Sequence, residues 1–201
     1  FQAIYKNCLR LSKVLAYNSI PFTILKNGTS FEYRAFQKPV QKKEGTLVYG
    51  YDWCGGCRRW ATTGKLATIK QHYRNKYNND IIIEYVGLAA DEIGRIEKFR
   101  RIRSQSIKIY PLAEWGMSEQ ACLDYCYSFG WNWQENGHEL YDILDRVSCW
   151  CCTNKNQKEI QNIIKYLPEY WALIKEYEMR CGIPYKGKGC KFYEKAILAE
   201  Q

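Results

Sequence analysis

The stretch Asp80-Ile81-Ile82-Ile83-Glu84-Tyr85-Val86-Gly87-Leu88 constrains the fold of this chain more than any other segment. It is short, rich in β-branched residues and almost continuously apolar, the pattern of a strand covered on both faces inside a parallel sheet. A second strand is expected at Ile107-Lys108-Ile109-Tyr110, stopped by Pro111, with a helix from Asp91 to about Arg101 between the two. Strand, helix and strand at that spacing predict an α/β fold with a parallel sheet.

The flanks are largely helical by pattern. Ile4, Cys8, Leu11 and Leu15 recur at helical spacing, as do Leu66, Ile69, Tyr73 and Tyr77. Ser118 is placed to cap a helix carrying Ala121, Cys122, Tyr125 and Cys126. Two further helices are expected at about Lys155 to Tyr166 and Pro168 to Met179, the second opening on its proline. A short strand is expected at Ile20 to Leu25, closed by Asn27-Gly28, with a helix start capped by Ser30 after it. Lys38 to Trp53, with Pro39, Gly45, Gly50 and three lysines, reads as a basic exposed loop, and Gly130 to Gly137 as a Trp-rich one. The domain reading is one α/β domain over 1–179 and an irregular basic tail over 180–201.

Composition narrows the class. The 201 residues suit one domain, and 46% apolar with 25% charged residues exclude disorder and low complexity. No run approaches the roughly 18 apolar residues of a membrane span, and no secretory signal opens the chain, so the cytoplasm is the expected location and no membrane is expected as a partner. Opening on Phe1, directly in an amphipathic stretch, leads to the expectation of further native residues upstream. A net charge of +9 favours anionic partners, whether nucleotide, sulfate or nucleic acid; a basic solvated surface is the competing reading.

Ten cysteines, with no secretion signal, point to metal ligation more than to disulfides. Cys54-Gly-Gly-Cys57 and Cys149-Trp-Cys-Cys152 each supply a CxxC step, and two such steps can bring four thiolates around one zinc ion or one [4Fe–4S] cluster. Gly55 and Gly56 let the backbone curl so that both sulfurs of the first pair face one way. With Cys57 and Cys149 92 positions apart, such a site would staple distant parts of a domain. The alternatives are reduced thiols packing as small hydrophobes and a redox CxxC. Cys54, Cys57, Cys149 and Cys152 are the expected ligands, with Cys151 a competing fifth, and zinc and [4Fe–4S] both stay open.

Four segments in order carry a resemblance. They are Cys54-Gly-Gly-Cys-Arg-Arg-Trp-Ala-Thr-Thr-Gly-Lys65, Tyr85-Val-Gly-Leu-Ala-Ala-Asp-Glu-Ile-Gly-Arg95, Tyr110-Pro-Leu-Ala-Glu-Trp-Gly-Met-Ser118 and Arg146-Val-Ser-Cys-Trp-Cys-Cys152. Together they resemble the phosphoadenosine phosphosulfate (PAPS) reductase family, of the adenine nucleotide α-hydrolase-like superfamily, over most of residues 1–179. The resemblance implies a layered α/β/α fold with a mostly parallel sheet and a helical C-terminal part. It also implies sulfonucleotide reduction or ATP-dependent sulfur transfer, by an oxidoreductase or transferase acting on ATP, PAPS or adenosine phosphosulfate. Some relatives carry a four-cysteine iron–sulfur cluster.

Candidate nucleotide contacts follow. Arg58, Arg59 and Lys65 lie just after the first cysteine pair, where guanidinium forks and an ammonium suit phosphate or sulfate. Glu92 and Arg95 open the helix after the apolar strand, at the carboxyl end where open α/β sheets bind ligands; an i,i+3 ion pair is their structural alternative. Ala89 stands where many reductases have arginine. Trp115 is expected to pack in a core in preference to stacking on a base, Cys181 to be a free thiol in the tail in preference to a redox nucleophile, and His72 and His138 to play no catalytic part.

Two departures from the family matter. Its S-G-G-x-D-S phosphate loop occurs nowhere here and by alignment would fall upstream of Phe1. Its E-C-G-L-H segment is matched only by Arg180-Cys-Gly-Ile-Pro184, without the acid or the histidine. A reading from another class therefore stands beside the enzyme: a non-catalytic, metal-stapled protein that binds nucleic acid or a protein, including a redox protein, on its basic face.

Overall fold

A computed structural model describes residues 1–55, 59–101 and 106–198. The described chain is a helix-rich α/β protein with three two-stranded sheets, one of them parallel. It divides into two compact units, Ile69–Asn132 and the remainder, Phe1–Thr68 with the described part of Trp133–Gln201.

The first unit opens with α1 (Gln2–Tyr17). The expected helix is present, yet only Ala3 is buried, and Ile4, Leu11 and Val14 remain exposed. Ile20 to Leu25 forms no strand and lies exposed: β-branched residues without a neighbouring strand leave their N–H and C=O groups to water. The expected helix after Ser30 ends in a π-helical turn, Tyr33–Gln37. The expected loop at 38–53 is instead an antiparallel hairpin, β1 (Pro39–Gln41) and β2 (Leu47–Tyr49), leading to a buried Trp53. Next comes α2 (Trp60–Lys76), whose residues from Ile69 on belong to the second unit.

The second unit holds the βαβ element expected from sequence. β3 (Ile82–Tyr85) runs parallel to β4 (Ser106–Ile109), pairing Ile83 with Ile107 and Glu84 with Lys108. Between them lie a 3-10 turn, Ala90–Glu92, and α3 (Ile93–Arg100). Ile96 of α3 packs with Leu88 and Tyr110 in a small core. The expectation of a strand buried on both faces fails here: Ile81, Ile83 and Tyr85 are 82, 52 and 73% exposed. β3 has one neighbour, and the face shared by Ile83 and Ile107 carries no covering layer among the described residues. After α4 (Pro111–Glu114), Trp115 is 70% exposed rather than core-packed. Ser118 caps α5 (Glu119–Ser128) as expected, its Oγ accepting the Ala121 N–H.

Back in the first unit, β5 (Gln134–Glu135) and β6 (His138–Glu139) make a tight hairpin where a loop was expected. Asn136 and Gly137 both have positive φ, the two-residue turn that an Asn-Gly pair favours. α6 (Leu140–Ile143) is followed by α7 (Gln157–Tyr166) and α8 (Pro168–Cys181). Leu167, Tyr170, Trp171, Ile174 and Tyr177 form a buried stripe at helical spacing, packed with Ile160 and Ile163 of α7. The tail is not irregular. Gly182 ends α8 in the left-handed conformation, Tyr185 is fully buried, and α9 (Cys190–Leu198) closes the described chain. No helix of the described residues is long and apolar enough to cross a membrane.

Candidate metal centre

The two cysteine segments meet in the first unit. The Thr153 N–H donates to the Cys54 carbonyl at 3.2 Å, joining residues 99 positions apart. Gly55, at φ +147°, permits that approach: a Cβ there would lie 2.2 Å from Thr153 Oγ1 and 3.0 Å from its backbone nitrogen. The C-terminal segment fixes both strands of the site. Trp53 Nε1 donates to the Ile183 carbonyl at 2.7 Å, Tyr177 OH to the Asp52 carbonyl at 2.9 Å, and Tyr185 OH to the Cys152 carbonyl at 3.0 Å. Trp53 also stacks on Tyr177, with ring centroids 4.4 Å apart. The loop from Cys149 to Cys152 closes on itself through the Cys152 N–H and the Cys149 carbonyl, at 3.1 Å.

The thiols share this corner. Cys149 is exposed, whereas Cys54, Cys151 and Cys152 are buried. The Cys149 thiol hydrogen-bonds with both Cys151 and Cys152, and the bond to Cys151 raises its pKa. Cys152 is pushed up by its bond to Cys149 and by burial, and Cys54 by burial and then by the charge of Cys149. A cation held by these sulfurs would reverse that trend, since the thiolate is the ligating form. Lys155, only 2% exposed, stands next to the cluster; burial lowers its pKa while Glu159 and the three cysteines of the loop oppose the shift. Its ammonium donates to Ser148 Oγ at 3.3 Å.

Among the described residues, no three His, Cys, Asp or Glu side chains stand in metal-holding geometry. Cys57, one of the four expected ligands, and Arg58 lie outside the described residues. The described cysteines are soft donors in kind, on two segments joined by the Thr153–Cys54 backbone hydrogen bond.

Of the expected nucleotide contacts, Arg59 and Lys65 belong to the first unit, and the charge of Lys65 opposes the rise that burial imposes on the Cys54 pKa. Glu92 and Arg95 belong to the second, where they pair as i,i+3 neighbours, and Glu92 Oε2 also accepts the Ala89 N–H at 3.2 Å. That carboxylate caps the turn preceding α3. Sequence reasoning missed Lys155, Tyr177 and Tyr185, the groups that surround and support the cysteines. The spacing of Tyr170, Ile174 and Tyr177 was the available signal for one of them, whereas Lys155 is an ordinary residue by pattern.

Comparisons of this chain with protein-family models, with curated proteins and with solved structures found no match.

Proposed function

We propose that the first unit holds a thiolate-ligated inorganic centre, [4Fe–4S] or zinc, in a protein of PAPS-reductase-like type that acts on an adenine nucleotide. Cys54, Cys57, Cys149 and Cys152 would hold the centre. The observation that carries the reading is the backbone lock between Cys54 and Thr153, which puts one cysteine segment against the other across 99 positions of sequence. The soft sulfur donors carried by both segments add support from the chemistry of the donor set.

Bound there, a cluster supplies electron or charge-storage chemistry, and zinc supplies a cross-link. The chain's own groups have separate tasks. Tyr185 and Tyr177 hold the two segments by their carbonyls, and Lys155 offsets negative charge on the thiolates. Arg59 and Lys65 are the proposed anion contacts of this unit, Lys65 within electrostatic reach of Cys54. Arg58, Glu92 and Arg95 enter through the family resemblance. The layered α/β/α arrangement belongs to the same proposal, with β3–α3–β4 as one parallel crossover of its sheet.

Elemental analysis and visible absorbance of anaerobically purified protein test this. One centre per chain is expected, with iron and a broad visible band or with stoichiometric zinc, and Cys149→Ala and Cys54→Ala should each abolish most of it. Metal-free, colourless protein that is folded and stable would overturn the reading.

A further inference from the structure

On the first unit, Phe31, Phe36, Trp150 and Tyr177 wall a cavity of about 180 Å³ that opens to solvent. Ligand pockets for whole drug-sized molecules run to roughly 300–1,000 Å³, so this one matches a single head group. The rings are mutually fixed: Phe36 and Tyr177 lie 4.6 Å apart by centroid, Phe31 and Tyr177 6.2 Å, and Trp150 meets Tyr177 edge-on at 6.2 Å. Two carboxylates, Glu32 and Glu176, stand on the rim.

The cavity already displays the chemistry it favours. The Arg180 guanidinium lies 4.1 Å from the Phe36 ring centroid and pairs with Glu32. Its second carboxylate, Glu176, is 3.7 Å away and 56% exposed. One guanidinium against two carboxylates leaves the rim with net negative charge. Glu176, held only at long range, keeps acceptor capacity for another planar donor.

We propose that this cavity is a binding site for a guanidinium group, that of arginine or of an arginine side chain. The incoming cation lies against Trp150 and Phe31 and donates to Glu176, while Leu173 lines the wall for an alkyl stem. A guanidinium suits the site better than an ammonium, because it stacks flat on aromatic rings and fits a carboxylate edge with paired donors. An anionic nucleotide is disfavoured by the same two carboxylates. Arg180 acts as an internal competitor whose charge limits affinity.

Calorimetric titration of the full chain with methylguanidinium tests the proposal, with tetramethylammonium and adenine as comparison probes. A head group of this size is expected to bind at about 1 mM. Glu176→Gln, an isosteric change at an exposed position, should weaken binding about tenfold, and Arg180→Gln should strengthen it. If Arg180→Gln does not fold, Glu176→Gln alone decides. Absence of methylguanidinium binding, tetramethylammonium or adenine binding at least as tightly, or affinity unchanged in Glu176→Gln overturns the assignment.

Discussion

Tyr170 illustrates how single side chains tie this protein to pH. Its hydroxyl donates to Glu135 Oε1 at 2.9 Å, and burial raises its pKa from 10.0 to about 12. The unfolded chain releases that proton first, so the associated stability is complete below pH 10 and is lost as pH climbs to about 12. Urea midpoints across this interval should fall steadily, and Tyr170→Phe should flatten part of the decline. The remainder should persist, because burial raises Tyr177 and Tyr185 in the same direction. Glu178 is a second such residue. Its Oε2 accepts the Tyr185 N–H at 2.6 Å and the Cys190 N–H at 2.9 Å, joining the turn after α8 to the start of α9. Glu178→Ala should cost about 2 kcal/mol in denaturant titration, since two backbone donors lose a charged acceptor.

At the scale of elements, the helices and the parallel strand pair were legible and the two hairpins were not. Pro168 and Ser118 mark their helix starts, and the apolar stripe of α8 has the period that predicts it. The run at 80–88 was legible as a strand, but its burial was not. Continuous apolarity states what a strand could bury, whereas the number of neighbouring strands is a long-range property. The tail was misread because glycine and lysine suggest a loop. Tyr185 and Cys190 instead find partners in α8, at Glu178, which no local pattern reveals. The cysteine site follows the same rule: the CxxC spacing was visible, the Thr153–Cys54 contact was not. Gly55→Ala probes that contact directly. The new Cβ collides with Thr153, so stability should drop by about 2 kcal/mol or more and metal content should fall with it. A substituted protein with unaltered midpoint and full metal content would show that the two segments need not touch. Asn156→Ala, which removes a capping box from α7, should cost about 1 kcal/mol and leave metal content intact.

At the scale of the molecule, each unit has its own core. In the second, Leu88, Ile96 and Tyr110 are the buried cluster, far smaller than the one built on α7 and α8. Hydrogen exchange should therefore show β3 and β4 opening at lower free energy than α8. Ile96→Ala should cost about 2–4 kcal/mol and speed exchange in the second unit while α8 keeps its protection. The proposed centre belongs to the first unit, and X-ray absorption at the metal edge of the anaerobically purified protein interrogates it without presuming an activity. The account predicts a shell of four sulfurs at about 2.3 Å around one zinc or the irons of one cluster, reduced or lost in Cys149→Ala. A shell of nitrogen and oxygen in place of sulfur, or no bound metal in a folded chain, would contradict it.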